Sequence, residues 1–155
     1  MEQNREEEYI VIPARDRRRR RRRKSEMLCA FGKSEENCLR EVDAYLSDYR
    51  TSARMLEMNR YERDYFRDGL KRDIPDLSKE TEAYLKAKMY GIRAFVLSIP
   101  DCDEKLLLYY HYIHGENLMR CAELLDISRA TVYRLKDRAL RQAAVKYFSE
   151  RAEAL

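Results

Sequence analysis

The stretch 117–140, with the sequence NLMRCAELLDISRATVYRLKDRAL, constrains the fold more than any other part of the chain. Apolar residues first recur at helical spacing, the spacing breaks at Asp126 and Ile127, and it resumes at Val132 and Leu135. Two helices joined by a tight turn satisfy this spacing. The pattern is typical of a helix-turn-helix, whose second helix docks in the major groove of DNA.

Each residue around the break has a physical role in such a turn. Ala122 has almost no side chain, so we expect the second helix to cross over it. Asp126 occupies the position that usually holds glycine, and aspartate is among the few residues that tolerate the left-handed backbone required there. Ile127 is expected to pack between the helices. Ser128 is expected to cap the second helix.

The second helix is predicted over 128–146, and most of its outward side chains are cationic or polar. The outward set consists of Arg129, Thr131, Tyr133, Arg134, Lys136 and Arg138. Six bases and one acid give 128–146 a charge of +5, whereas six acids and two bases give 101–126 a charge of −4. A basic helix beside an acidic support has the polarity that a groove-docking motif needs.

The N-terminal segment contains a run of like charges, RDRRRRRRRK, over 15–24. Nine bases and one acid give this run a charge of +8, and residues that repel one another cannot form a core. We therefore expect residues 1–33 to be a disordered tail. The run either lies along DNA phosphates without sequence preference or is a solubilising tail of no fixed role.

Residues 34–98 are predicted to form a long helical hairpin. The first helix, over 34–71, begins at Ser34 and has an apolar stripe of coiled-coil spacing: Leu39, Val42, Leu46, Tyr49, Ala53 and Leu56. Pro75 ends it. The second, over 78–98, has the stripe Ala83, Ala87, Tyr90, Ala94 and Leu97, which we expect to pack against the first. The hairpin is a scaffold, a dimerisation surface or a docking arm.

Residues 99–155 are predicted to form a separate tri-helical domain. Asp101 caps a support helix, whose apolar side chains are Leu106, Leu107, Tyr109, Tyr110 and Ile113, and Gly115 ends it. At helical spacing beside leucine, the tyrosines are expected in the core rather than as a base-stacking platform. The predicted fold class is therefore all-α.

From residue 99 to 140 the chain resembles the promoter-reading fourth region of bacterial sigma factors. The shared elements are an Ile-Pro opening before acids, the helix YYHYIHG ending in glycine, a motif helix with alanine, and the segment IS-x-x-TV-x-R-L. With a helical N-terminal part, the chain is similar to the small sigma-region-four-like regulators of phages and prophages, of the ArpU and RinA types. Segments that grip RNA polymerase and melt promoters in true sigma factors are not recognisable.

The resemblance aligns Ser128, Arg129, Thr131, Val132, Arg134 and Leu135 with the recognition segment. Val132 and Leu135 are expected to be structural. Arg129, Thr131 and Arg134 are the candidates for base edges, because arginine can pair with guanine and a threonine methyl can contact thymine. Phosphates and groove walls are expected for Tyr133, Lys136, Arg138 and Arg141.

The leading hypothesis is a sequence-specific transcriptional regulator of phage or prophage type that binds double-stranded DNA as a homodimer, in the bacterial cytoplasm at the nucleoid. The alternatives are a helical protein that docks to RNA polymerase or another regulator, and a DNA-packaging subunit of small-terminase type. An enzyme, a cofactor and a membrane span are not expected. His111 and His114 lie one turn apart without further ligands at suitable spacing, and the cysteines lack CxxC spacing, so no metal is expected either.

Overall fold

The computed structural model describes residues 33–70 and 77–153, and within these ranges the chain is all-α without strands. The predicted fold class is confirmed. The five α-helices are α1 (Glu35–Leu70), α2 (Leu77–Leu97), α3 (Cys102–Leu108), α4 (Leu118–Leu125) and α5 (Arg129–Glu153). A π-helical segment, Tyr109–Ile113, continues α3. The basic run 15–24 and the predicted helix end at Pro75 lie outside the described residues.

Helix α1 begins where the sequence predicts. The Ser34 Oγ accepts a hydrogen bond from the backbone N–H of Asn37 at 3.3 Å, and Glu35 lies in the first turn, where a carboxylate is favoured by the helix dipole. Val42 and Leu46 are fully buried, as the stripe predicts. The helix then continues for 36 residues in total, well past the buried part of the fold.

The predicted packing face of α2 is wrong. All five residues of the predicted stripe are exposed, and Tyr90 retains 77% of its accessible surface. The buried side chains of α2 lie on the opposite face: Leu85, Ile92, Phe95 and Val96. These side chains are larger than the alanines of the predicted stripe, so burying them removes more apolar surface from water.

Helices α1 and α2 run antiparallel. The Tyr45 and Phe95 rings meet edge to face with centroids 5.5 Å apart, and the Lys88 Nζ lies 3.1 Å from the Asp48 Oδ2. Farther from the core, Glu82 pairs with Arg63 and with Lys86. Lys86 and Arg63 together lower the pKa of Glu82 to about 2.

Helix α3 starts at a side-chain cap and ends in a change of helical pitch. The Asp101 Oδ1 accepts a hydrogen bond from the backbone N–H of Glu104 at 3.0 Å. Leu107, Leu108 and Tyr112 are buried, and Tyr112 follows in the π-helical segment, where the wider turn shifts the register of the side chains.

The chain leaves the π-helical segment at Gly115, whose φ is +76°. A Cβ at this position would lie 2.8 Å from the Arg50 guanidinium carbon. The positive φ is what favours glycine here, since the exposed end of the Arg50 side chain can move aside.

A single hydrophobic core joins all five helices. From the helices described above it contains Val42, Leu46, Ile92, Phe95, Val96, Leu107, Leu108 and Tyr112. Its other members are Cys38, Ile99, Cys121, Ala122, Val132, Leu135, Ala139, Ala143, Ala144, Tyr147 and Phe148. The predicted boundary at Ile99 therefore does not separate two cores, and Ile99 itself is fully buried. The reason is the C-terminal half of α5: it continues past the predicted end at 146 and packs Tyr147 against both Tyr45 and Phe95.

Candidate nucleic-acid interface

The link between α4 and α5 is built around a left-handed residue. Asp126 has φ 53° and ψ 48°, as the sequence predicts for this position. The backbone N–H of Ile127 donates to the Ala122 carbonyl at 3.0 Å, and that of Asp126 donates to the Glu123 carbonyl at 3.2 Å. These bonds satisfy the last carbonyls of α4 and turn the chain sharply.

Both helices start at side-chain caps. The Asn117 Oδ1 accepts from the Arg120 N–H at 2.8 Å at the start of α4. The Ser128 Oγ accepts from the Thr131 N–H at 3.2 Å at the start of α5, so the predicted role of Ser128 as a cap is confirmed. The start of α5 is thereby fixed relative to α4.

Small and branched side chains hold α5 against α4 and α3. Cys121 and Val132 are fully buried, and Ala122 and Leu135 nearly so, which confirms the predicted structural roles of Val132 and Leu135. Ile127 is partly buried against the same core. This packing leaves the opposite face of the first turns of α5 uncovered.

The uncovered face carries most of the predicted DNA-binding residues. Arg129, Thr131, Tyr133 and Arg134 are exposed, and Tyr133 retains 47% of its accessible surface. The Thr131 hydroxyl lies 2.8 Å from that of Ser128, so these two side chains form a hydrogen-bonded pair. Within the described part of the chain, Arg129 and Arg134 form no ion pair with any carboxylate.

Two later arginines of α5 are held by carboxylates of other helices. The Arg138 Nε lies 2.9 Å from the Oε1 of the buried Glu104, and the Arg138 side chain is 55% exposed. The Arg141 Nε lies 2.6 Å from the Glu35 Oε1, and the Arg141 side chain is only 14% exposed. Lys136 is partly buried.

Arg141 therefore does not lie with the exposed group, contrary to the sequence analysis. It lies seven residues after Arg134, which places both on one side of an isolated helix. In the fold, however, the start of α1 covers that side at Arg141. Helical periodicity alone gives no sign of this covering.

Two further residues of the exposed face were missed by sequence reasoning. Ala130 and Asp137 are both exposed, and Asp137 follows Arg134 by three residues on the same side of α5. The position of Asp137 between Arg134 and Arg138 is apparent from the sequence alone. Asp137 reduces the positive charge at the centre of the surface, and its carboxylate can accept a hydrogen bond from a base amine.

The tyrosines of 109–112 are structural, as the sequence analysis expects for this helix. The Tyr112 hydroxyl donates to the Asp43 carboxylate of α1, and burial raises the pKa of Tyr112 above its usual value. Tyr109 and Tyr110 are partly buried against the core. The ring N–H of His111 donates from Nδ1 to the Glu116 carbonyl at 2.8 Å.

Among the described residues, no three histidine, cysteine or acidic side chains lie close enough together to hold a metal ion. None of the helices in the described ranges combines the length and hydropathy that crossing a bilayer requires. Comparisons with family models, curated proteins and solved structures returned no match for this chain. A function must therefore be inferred from the residues themselves.

Proposed function

We propose that this chain is a sequence-specific DNA-binding transcriptional regulator of phage or prophage type, and that the first turns of α5 enter the major groove. The observation that carries the proposal is the pair Arg129 and Arg134. Both are exposed and form no ion pair within the described residues, on a helix fixed at its start by the Asp126 turn. Unpaired guanidinium groups on a rigid helix are suited to guanine edges and phosphates.

The division of α5 into an exposed and a buried half supports the same function. A groove-reading helix needs a free N-terminal part and a fixed remainder, because a mobile helix loses binding free energy on ordering. Here Ala139, Ala143 and Ala144 pack in the core while Arg129 and Arg134 are exposed.

The residues of the proposed interface have two roles. Arg129, Thr131 and Arg134 contact base edges. Ser128, Tyr133, Lys136 and Arg138 contact phosphates or the groove walls; the Arg138 Nε is held by Glu104, and the rest of the exposed guanidinium remains for phosphate. Arg141 is left out, since its side chain is committed to Glu35.

We further propose that the protein acts in the bacterial cytoplasm at the nucleoid, as a homodimer and in contact with RNA polymerase. A dimeric reader requires two half-sites about one helical turn apart. A ring of several subunits would instead favour the packaging alternative, so the subunit count in solution separates the two functions.

Selection of binding sites from random duplex DNA tests the proposal directly. The full chain is incubated with the library and an excess of non-specific competitor DNA, which suppresses binding that depends on charge alone. Enrichment of one motif is the expected result. Arg129→Ala combined with Arg134→Ala should abolish the enrichment, whereas the exposed pair Arg60→Ala and Arg93→Ala on α1 and α2, with the same charge change, should leave it intact.

Wild-type protein that retains DNA without enriching any sequence would reduce the proposal to non-specific attraction. Protein that binds no DNA would overturn it.

A further inference from the structure

Helix α2 presents an apolar seam that the rest of the described fold does not cover. We define the α2 seam as Ala83, Ala87, Tyr90, Ala94 and Leu97. All five are exposed, with 77% of the surface of Tyr90 and 47% of that of Leu97 accessible. The intervals alternate between four and three residues, which is the spacing of the contact positions in a coiled coil. The opposite face of α2 already packs in the core.

Positive charge runs along one border of the seam. Lys79, Lys86 and Arg93 recur at intervals of seven residues and flank the same side of the stripe. Arg93 is exposed, and the Lys86 side chain is 59% exposed while also contacting Glu82 of its own helix at 2.8 Å. Such flanking positions meet the partner helix in a coiled coil and determine which partner is accepted.

The other border of the seam is uncharged. Tyr84, Gly91 and Ser98 occupy the corresponding positions, again seven residues apart. A Cβ built on Gly91 would meet no atom within 4 Å, so nothing else in the described fold uses the space beside this glycine. Glycine is disfavoured in a helix interior, and its absent side chain lets a second backbone approach closely.

The charges disfavour a second copy of the chain as the occupant. In a parallel pair of α2 helices, each cation of one copy would face an uncharged residue of the other. In an antiparallel pair, the cationic borders would face each other, and like charges repel. Neither arrangement places a carboxylate of the second copy opposite Lys86 or Arg93.

We propose that the α2 seam binds an amphipathic helix of another protein, with an apolar stripe and acidic residues along the border that meets Lys86 and Arg93. The apolar stripe covers Tyr90 and Leu97. The carboxylates provide the charge complement that a second copy lacks, and they select against basic helices. This inference is independent of DNA binding.

Two synthetic helices of three heptads test the proposal against the full-length chain. They share a leucine and alanine stripe and differ only in carrying glutamate or lysine at the bordering positions. The acidic peptide should bind at least about tenfold more tightly than the basic one, and the difference should shrink at high salt. Fluorescence anisotropy of labelled peptides measures both affinities.

Charge reversal and seam blocking locate the site. Arg93→Glu should weaken binding of the acidic peptide and strengthen binding of the basic one. Arg60→Glu, at an exposed position of α1, should change neither affinity beyond a small general effect. Ala94→Glu places a charge in the α2 seam, at an exposed position of the helix. It should therefore block binding of the acidic peptide without unfolding the protein. Circular dichroism checks the fold of each variant.

Equal affinity for the two peptides, or no binding of either, would overturn the proposal. Self-association of the wild-type chain that Ala94→Glu abolishes, measured by sedimentation, would overturn it in favour of a second copy as occupant.

Discussion

Asp126 alone sets the angle at which the chain leaves α4, because its backbone lies in the left-handed region that side chains generally disfavour. Its neighbours could be predicted with it: Ala122, Ile127 and Ser128 take the positions that their size and chemistry indicate. These residues were predictable because a turn is a local structure, decided by a few adjacent side chains.

Asp126→Gly should raise the free energy of unfolding by roughly 0.5 kcal/mol, because glycine adopts φ 53° without steric cost. Asp137→Gly is the matched control: it makes the same replacement at an exposed position inside α5 and should lower the free energy of unfolding by about 0.3 kcal/mol. Urea unfolding measures both. A loss of stability in Asp126→Gly would show that the carboxylate contributes more than the backbone strain costs.

His111 should make the fold less stable in mild acid. Burial lowers the pKa of His111 below its ordinary value. As the pH falls through about 6.5, the unfolded chain therefore binds a proton that the folded chain does not, and the free energy of unfolding decreases. Above that pH the contribution of His111 to stability is fully present.

Urea unfolding of the wild type and His111→Gln between about pH 7.5 and 5.5 isolates this effect. The variant should lose less stability over the interval than the wild type, because it lacks the imidazole that burial keeps neutral. Identical slopes for the wild type and His111→Gln would exclude His111 as a source of the acid sensitivity.

At the scale of the elements, α2 shows where sequence reasoning fails. Two faces of this helix carry apolar residues at alternating intervals of four and three: the exposed seam, and Leu85, Met89, Ile92, Val96 and Ile99. Periodicity indicates a helix in both cases but does not select the buried side. Side-chain volume would have done so, because leucine, isoleucine and valine bury more apolar area than alanine.

Helix α5 gives the corresponding prediction for DNA. Arg134→Ala should reduce the binding free energy for the selected motif by on the order of 1–3 kcal/mol and relax the preference for one base pair. Arg93→Ala, which removes the same charge from α2, should leave that preference unchanged. Affinities for the motif and its single-base variants measure the effect. An equal loss on every sequence would instead assign Arg134 to phosphate.

At the scale of the whole molecule, the described helices share one hydrophobic core across the predicted boundary at residue 99. Tyr147 of α5 packs with Tyr45 of α1 and with Phe95 of α2. No periodicity in the sequence predicts these contacts, because they join residues about 100 and about 50 positions apart. The shared core follows only from the assembled fold.

The fragment 99–153 should therefore fail to fold independently. It lacks Val42, Leu46, Ile92 and Val96, all fully buried, and would expose Tyr147 and Phe148 to water. Thermal unfolding followed by circular dichroism should show a cooperative transition for 33–153 but not for the fragment. A cooperative transition in 99–153 would restore the boundary that the sequence predicts at residue 99.

Helix α1 is unbroken, so it fixes the distance between its two ends. Thirty-six residues at 1.5 Å each make a rod of about 54 Å. The first turn of α1 is joined to α5 by the Glu35–Arg141 ion pair. Its later turns contact the N-terminal part of α2 through the Arg63–Glu82 ion pair. In the proposed complex of α5 with DNA, a contact made by the far end of α1 would lie within about 16 base pairs of the Glu35–Arg141 ion pair along the duplex.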